Sequence, residues 1–206
     1  MIGNRACGDR ITAFADEPLI RAAYACLLLS PQVPMLFMGE EFAASTPFMF
    51  FCDFGPELAL SVSNGRRQEF KRFAAFASDA AVAHIPDPNA ESTFRASKLK
   101  WHERQSPPHR ARLRLIRDLL ALRQRHLASH LSKMRHGGRY EIVNEVLRVE
   151  WRLPNERLWS LFAHFGTHAA YATLPASGAT VFSMGVVAAP APQVRLEPGA
   201  TIVTYG

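Results

Sequence analysis

Two stretches hold the residue types from which a site could be built: Gly39-Glu40-Glu41, where two carboxylates follow a glycine, and a loop carrying Phe48, Phe50, Phe51 and Phe54. Paired carboxylates perform acid and base chemistry, and cutting a glycosidic bond needs two of them facing each other across it. Adjacent residues leaving a strand point in divergent directions, so Glu40 and Glu41 do not meet that geometry between themselves. They suit a hydrogen bond to a sugar hydroxyl or to a catalytic neighbour, or a structural contact at a rim. The phenylalanines also have two readings, because aromatic rings stack on the apolar C–H faces of sugars and equally form the core under a long loop.

Other chemistries find less support. Cys7, Cys26 and Cys52 are odd in number, far apart and without CxxC or Cys/His spacing, which indicates neither a disulfide framework nor a metal site. The eight histidines are scattered, no GxSxG elbow is present, and no motif implies a cofactor. Net charge is +6 with a pI near 9.6, carried mainly by arginines concentrated between Arg104 and Arg135. A solvated basic face accounts for them better than nucleic acid does. No apolar run approaches the roughly 20 residues of a membrane span, and reduced thiols suit the cytoplasm.

The elements that must position the carboxylates follow from periodicity. Asp16-Glu17-Pro18 reads as a helix start, and Leu19, Ile20, Ala23, Tyr24, Leu27 and Leu28 give one apolar face up to about Ser30. Val33 to Met38 then reads as a short strand buried on both faces, and helix, tight link, buried strand is an α/β pattern. In such folds functional groups lie just past the carboxyl ends of strands, where Gly39, Glu40 and Glu41 fall. A helix is expected from Gly65 to Phe76, and a long one from a serine cap at Ser106 to about residue 128. Past Gly138 the texture becomes short alternating segments divided by Pro, Gly, Asn and Ser, which predicts an antiparallel β domain. The tryptophans 101, 151 and 159 are expected in the core or at a domain interface.

Several stretches are worded like a known family. "IGNRACGDRI", "VPMLFMGEEFAASTPFMFFCDF", "GRRQEF" and "IPDPNAESTFRASKLKW", with the final β domain, resemble the malto-oligosyltrehalose trehalohydrolases, a branch of the alpha-amylase family of glycoside hydrolases. The resemblance runs in order over essentially all 206 residues. It implies an α/β fold: residues 1–135 would be the C-terminal portion of a (β/α)8 TIM barrel (helix 7, strand 8, helix 8), and 136–206 an all-β C-terminal sandwich.

It also implies retaining hydrolysis of the α-1,4 bond beside a terminal trehalose, with malto-oligosyltrehalose or a related α-glucan as partner. Asn4, Arg5, Glu40, Glu41, Phe48 and Phe50 would bind substrate, with Arg5 either serving sugar hydroxyls and carboxylates or bracing its loop against Asp9. Two departures matter. The family reads Asn-His-Asp-Gln ahead of the segment beginning at Ile2, its aspartate being a catalytic carboxylate, whereas Met1 stands in the last of those places. The expectation is therefore a C-terminal fragment with no catalytic residue, inactive alone, either glucan-binding or completing a separately encoded N-terminal half. Lys100 stands where the family has aspartate, which puts any role of that position in doubt.

Overall fold

The computed structural model describes residues 5–134 and 137–206, so Asn4 and the expected boundary at 135/136 lie outside the described residues. Two compact units emerge: residues 5–14 with 36–113, and Ala15–Met35 with Arg114–Gly206. Helical elements give way to strands across the expected boundary, from α6 (Ala128–Leu131) to β1 (Arg139–Val143).

In the second unit α1 spans Glu17–Leu29. Asp16 holds the N-cap position with extended backbone, yet its side chain makes no capping bond; the Asp16 carbonyl accepts from Ile20 N–H at 3.0 Å and Pro18 preforms the first turn. The helix buries Ile20, Tyr24, Leu28 and Leu29 against the β sheet. Its last carbonyls would lack partners. Arg123, from α5 (Pro107–His126), supplies them: its guanidinium donates to Leu28 O (3.1 Å), Ser30 O, Pro31 O (3.2 Å) and Gln32 O (2.8 Å). Burial lowers the pKa of this guanidinium. Trp159 Nε1 donates to Leu29 O at 2.8 Å.

The β region continues with β2 (Val146–Arg152), β3 (Leu158–His164), β4 (Ala170–Thr173), β5 (Ala179–Ala188) and β6 (Gln193–Tyr205). All six strands form one antiparallel sheet in the order β1-β2-β3-β6-β4, with β5 along the other side of β6. In this one curled sheet β6 serves two partners, β4 through Gln193–Leu196 and β3 through Thr201–Tyr205. Between these stretches lie Pro198 and Gly199, the latter at φ 78°, where a Cβ would come 2.5 Å from the Pro18 backbone. The curled sheet encloses Val146, Phe162, Ala172, Leu196 and Ile202.

The first unit carries α2 (Pro56–Lys71), α3 (Asp79–Ala83) and α4 (Glu91–Ser97). The expected helix start at Gly65 is nine residues late, because Gly55-Pro56 is the N-terminus and Gly65 is tolerated mid-helix. Ser106 does not cap α5 with its side chain either, since its hydroxyl donates back to Glu103 O at 2.9 Å.

The strand expected over Val33–Met38 is corrected. Residues 33–37 carry no regular secondary structure and Met38 begins a turn; Val33 and Met35 are 92% and 81% exposed. A strand exists only through ladder bonds to neighbours, and every described strand is committed to the sheet of the other region.

Candidate functional site

The turn at Gly39 is where the carboxylates are placed. Gly39 adopts φ 88°, and a Cβ there would meet Leu99 Cδ2 at 2.7 Å and Ala44 Cβ at 2.9 Å, so only glycine fits both conformation and space. A 3-10 turn, Glu40–Phe42, follows. Glu40 Oε2 accepts from Phe37 N–H at 2.9 Å and Glu41 Oε2 from Gly39 N–H at 2.8 Å. Each carboxylate thus holds the backbone of its own turn. Both side chains remain half-buried, so their remaining lone pairs face a partly open environment.

The loop that follows is stitched to residues 5–14. Phe48 N–H donates to Gly8 O at 2.8 Å, and Gly8, at φ 70°, leaves no room for a Cβ against the Phe48 carbonyl carbon 2.4 Å away. Buried Arg10 donates through Nε to Thr46 O at 2.6 Å and through Nη1 to Met38 O at 3.1 Å. Gly8 and Arg10 therefore fix the path on which the aromatics ride. Arg5 does not reach for Asp9; its guanidinium lies 3.7 Å from the centroid of the Phe14 ring.

The two phenylalanines named as candidates part ways. Phe50 lies under Arg66, whose guanidinium is 5.1 Å from that ring and 4.7 Å from Phe70, and donates to Arg5 O at 3.1 Å. Burial lowers the pKa of Arg66. Phe48 instead joins a run of edge-to-face contacts, Phe37 at 4.7 Å, Phe51 at 5.6 Å, and from Phe51 to Phe94 at 5.1 Å. Phe48, Phe51, Phe94 and Trp101 line an open groove of about 310 Å³ with Met38, Ser97, Lys98 and Leu99. Trp101 is 54% exposed and not core as expected, whereas Trp151 and Trp159 are buried. Its contact with the groove depends on residues sixty positions apart in sequence meeting in space, which periodicity does not report.

A polar clip fixes the far wall. In Asp87-Pro88-Asn89 the Asp87 carboxylate accepts from Ser63 Oγ at 2.6 Å and Asn89 N–H at 3.0 Å, and these bonds, the Ser63 one foremost, lower its pKa. Asn89 Nδ2 donates to Ala59 O at 3.0 Å, and Thr93 Oγ1 to Asp87 O at 2.6 Å, which seats α4 and with it Phe94. The three cysteines are free thiols, with Cys26 pushed up to about 12 by burial. Among the described residues no cluster of ligands could hold a metal, and no helix is long and apolar enough to cross a membrane.

Comparison with known proteins gives this arrangement a context. No protein-family model matches the chain. A solved structure from Salmonella typhimurium, provisionally assigned as an alpha amylase, superposes over 100% of the chain and 33% of its own length with TM-score 0.84 at 36% identity. The trehalulose synthase MutB of Pseudomonas mesoacidophila superposes over 95% of the chain with TM-score 0.55 at 16% identity, a likeness of fold alone. The fold is that of the C-terminal region of alpha-amylase family enzymes, and the chain is similar in sequence to part of such glycoside hydrolases. Within that class its relatives by sequence are malto-oligosyltrehalose trehalohydrolases: 47% identity over 123 residues with the Deinococcus radiodurans protein, and 44% over 126 with that of Brevibacterium helvolum. The matched part is about 60% of this chain, and the chain spans about a fifth of the length of those relatives.

Proposed function

We propose that these 206 residues are the C-terminal portion of a trehalose-releasing glycoside hydrolase that cuts the α-1,4 bond next to the terminal trehalose of malto-oligosyltrehalose. The observation that carries the reading is the 47% identity to a named trehalohydrolase, together with the Gly39 turn and its stitched aromatic loop, which lie within the motifs that carry the resemblance. The bond-breaking carboxylates, about 5 Å apart in a retaining enzyme, come from residues outside this chain. Glu40 and Glu41 hold the turn, and the groove of Phe48, Phe51, Phe94 and Trp101 takes the glucan. Arg5 flanks the cleft, and residues 1–135 and 136–206 are the barrel portion and the β domain.

A second reading has an observation of its own. The exposed Val33 and Met35, in a segment without regular structure, suit a piece that completes a barrel with a separately encoded half. Trehalose release from malto-oligosyltrehalose tests both readings. The chain alone is expected to be inactive, and mixing with a recombinant N-terminal half of a relative restores release. Hydrolysis by the 206 residues alone contradicts the first reading's placement of the carboxylates, and failure of the mixture removes the second.

A further inference from the structure

Two edge strands of the curled sheet, β1 and β4, do not pair with each other, and between them lies a second pocket of about 210 Å³. Buried Phe162 and Val146 give it an apolar lining, and Tyr171, 59% exposed, stands at its rim. Arg148 crosses it: Nη1 donates to Glu141 at 3.0 Å, Nη2 to Glu150 at 2.8 Å, and the guanidinium lies 5.5 Å from the Phe162 ring centroid. The Nε of Arg148 is buried and finds no acceptor among the described residues.

The composition selects a ligand class. One guanidinium between two carboxylates leaves a net negative charge, which disfavours phosphate or carboxylate ligands, while the buried arginine disfavours a cation. A neutral molecule with both hydroxyls and an apolar face meets every surface offered. Drug-sized pockets run from about 300 Å³ upward, so this one suits a single ring.

We propose that the pocket between β1 and β4 binds one pyranose ring of an α-glucan, Tyr171 stacking on its C–H face and Glu141, held by Arg148, accepting from a hydroxyl. The choice of an α-linked sugar rests on the proposed function; the pocket itself does not. Calorimetry of the 206-residue chain with maltoheptaose, beside amide chemical-shift mapping, tests it. Expected are shifts at Glu141, Arg148 and Tyr171 that persist in Trp101→Ala, and affinity about tenfold weaker in Tyr171→Ala but retained in Tyr171→Phe. Tyr140→Ala, exposed on β1 and outside the pocket, binds as the parent does. Equal affinity in Tyr171→Ala with unchanged melting, shifts confined to the Phe48 groove, or equal response to cellohexaose or sulfate each overturns the proposal. Failed trehalose release with pocket shifts intact overturns only the activity reading.

Discussion

At the scale of single residues, Gly39 decides whether the candidate site has its shape. Its left-handed backbone costs an L side chain about 1–2 kcal/mol, and a Cβ would also press on Leu99, a lining residue of the groove. Gly39→Ala is expected to lower stability by about 2 kcal/mol, the conformational cost plus a small overlap. Urea unfolding measures it, and a loss within error of zero would show that the turn relaxes. Glycine at this place was legible from sequence as the end of an apolar run, but its reason was not: Leu99, Ala44 and Arg10 come from three other positions in the chain. The carboxylates were likewise legible as a pair just past an apolar run, whereas their backbone partners depend on a turn that replaces the expected strand end.

At the scale of elements, the helices that could be read from sequence were those with a proline in the first turn and an uninterrupted apolar stripe. The span of α1, Glu17–Leu29, departs from expectation by one residue at its end. For α5 the apolar stripe was correct in kind, yet Arg112 and Arg123 lie buried on the line of Ile116 and Leu119 and not with the exposed arginines. No periodicity announces that, because the signal that buries Arg123 is the set of carbonyls at the end of another helix. The planar fork of arginine reaches four of them, and an ammonium cannot. Arg123→Lys should therefore cost about 1.5–3 kcal/mol, with amide exchange accelerated at Ser30, whose N–H bonds Cys26 O at 3.1 Å. If exchange there is unchanged while stability falls, the arginine acts elsewhere than on α1.

At the scale of the whole chain, the structure leaves large apolar side chains in water. Val33, Met35 and Met38 follow one another in a stretch that pairs with nothing described, and apolar exposure of this kind favours association. The chain is expected to bind a hydrophobic dye and to self-associate at micromolar concentration, and Val33→Lys with Met35→Lys to reduce both. Sedimentation velocity showing a dye-silent monomer would remove this expectation. The sequence hid the exposure because four apolar residues in a row read the same whether a sheet covers them or not. It was more informative about the β region, where alternation marked β2, β3, β5 and the end of β6, though neither β1 and β4 nor the single sheet wrapped through Pro198 and Gly199.

The clamp on α1 also sets an order of events during synthesis. Arg123 lies 95 positions after Leu28, and Trp159 lies 130 after Leu29. A nascent chain from which Arg123 has not yet emerged holds an α1 whose last turn is still ragged, since both groups that finish it follow in sequence. Contacts this distant close late and slowly, so α1 is completed only after the segments that follow it.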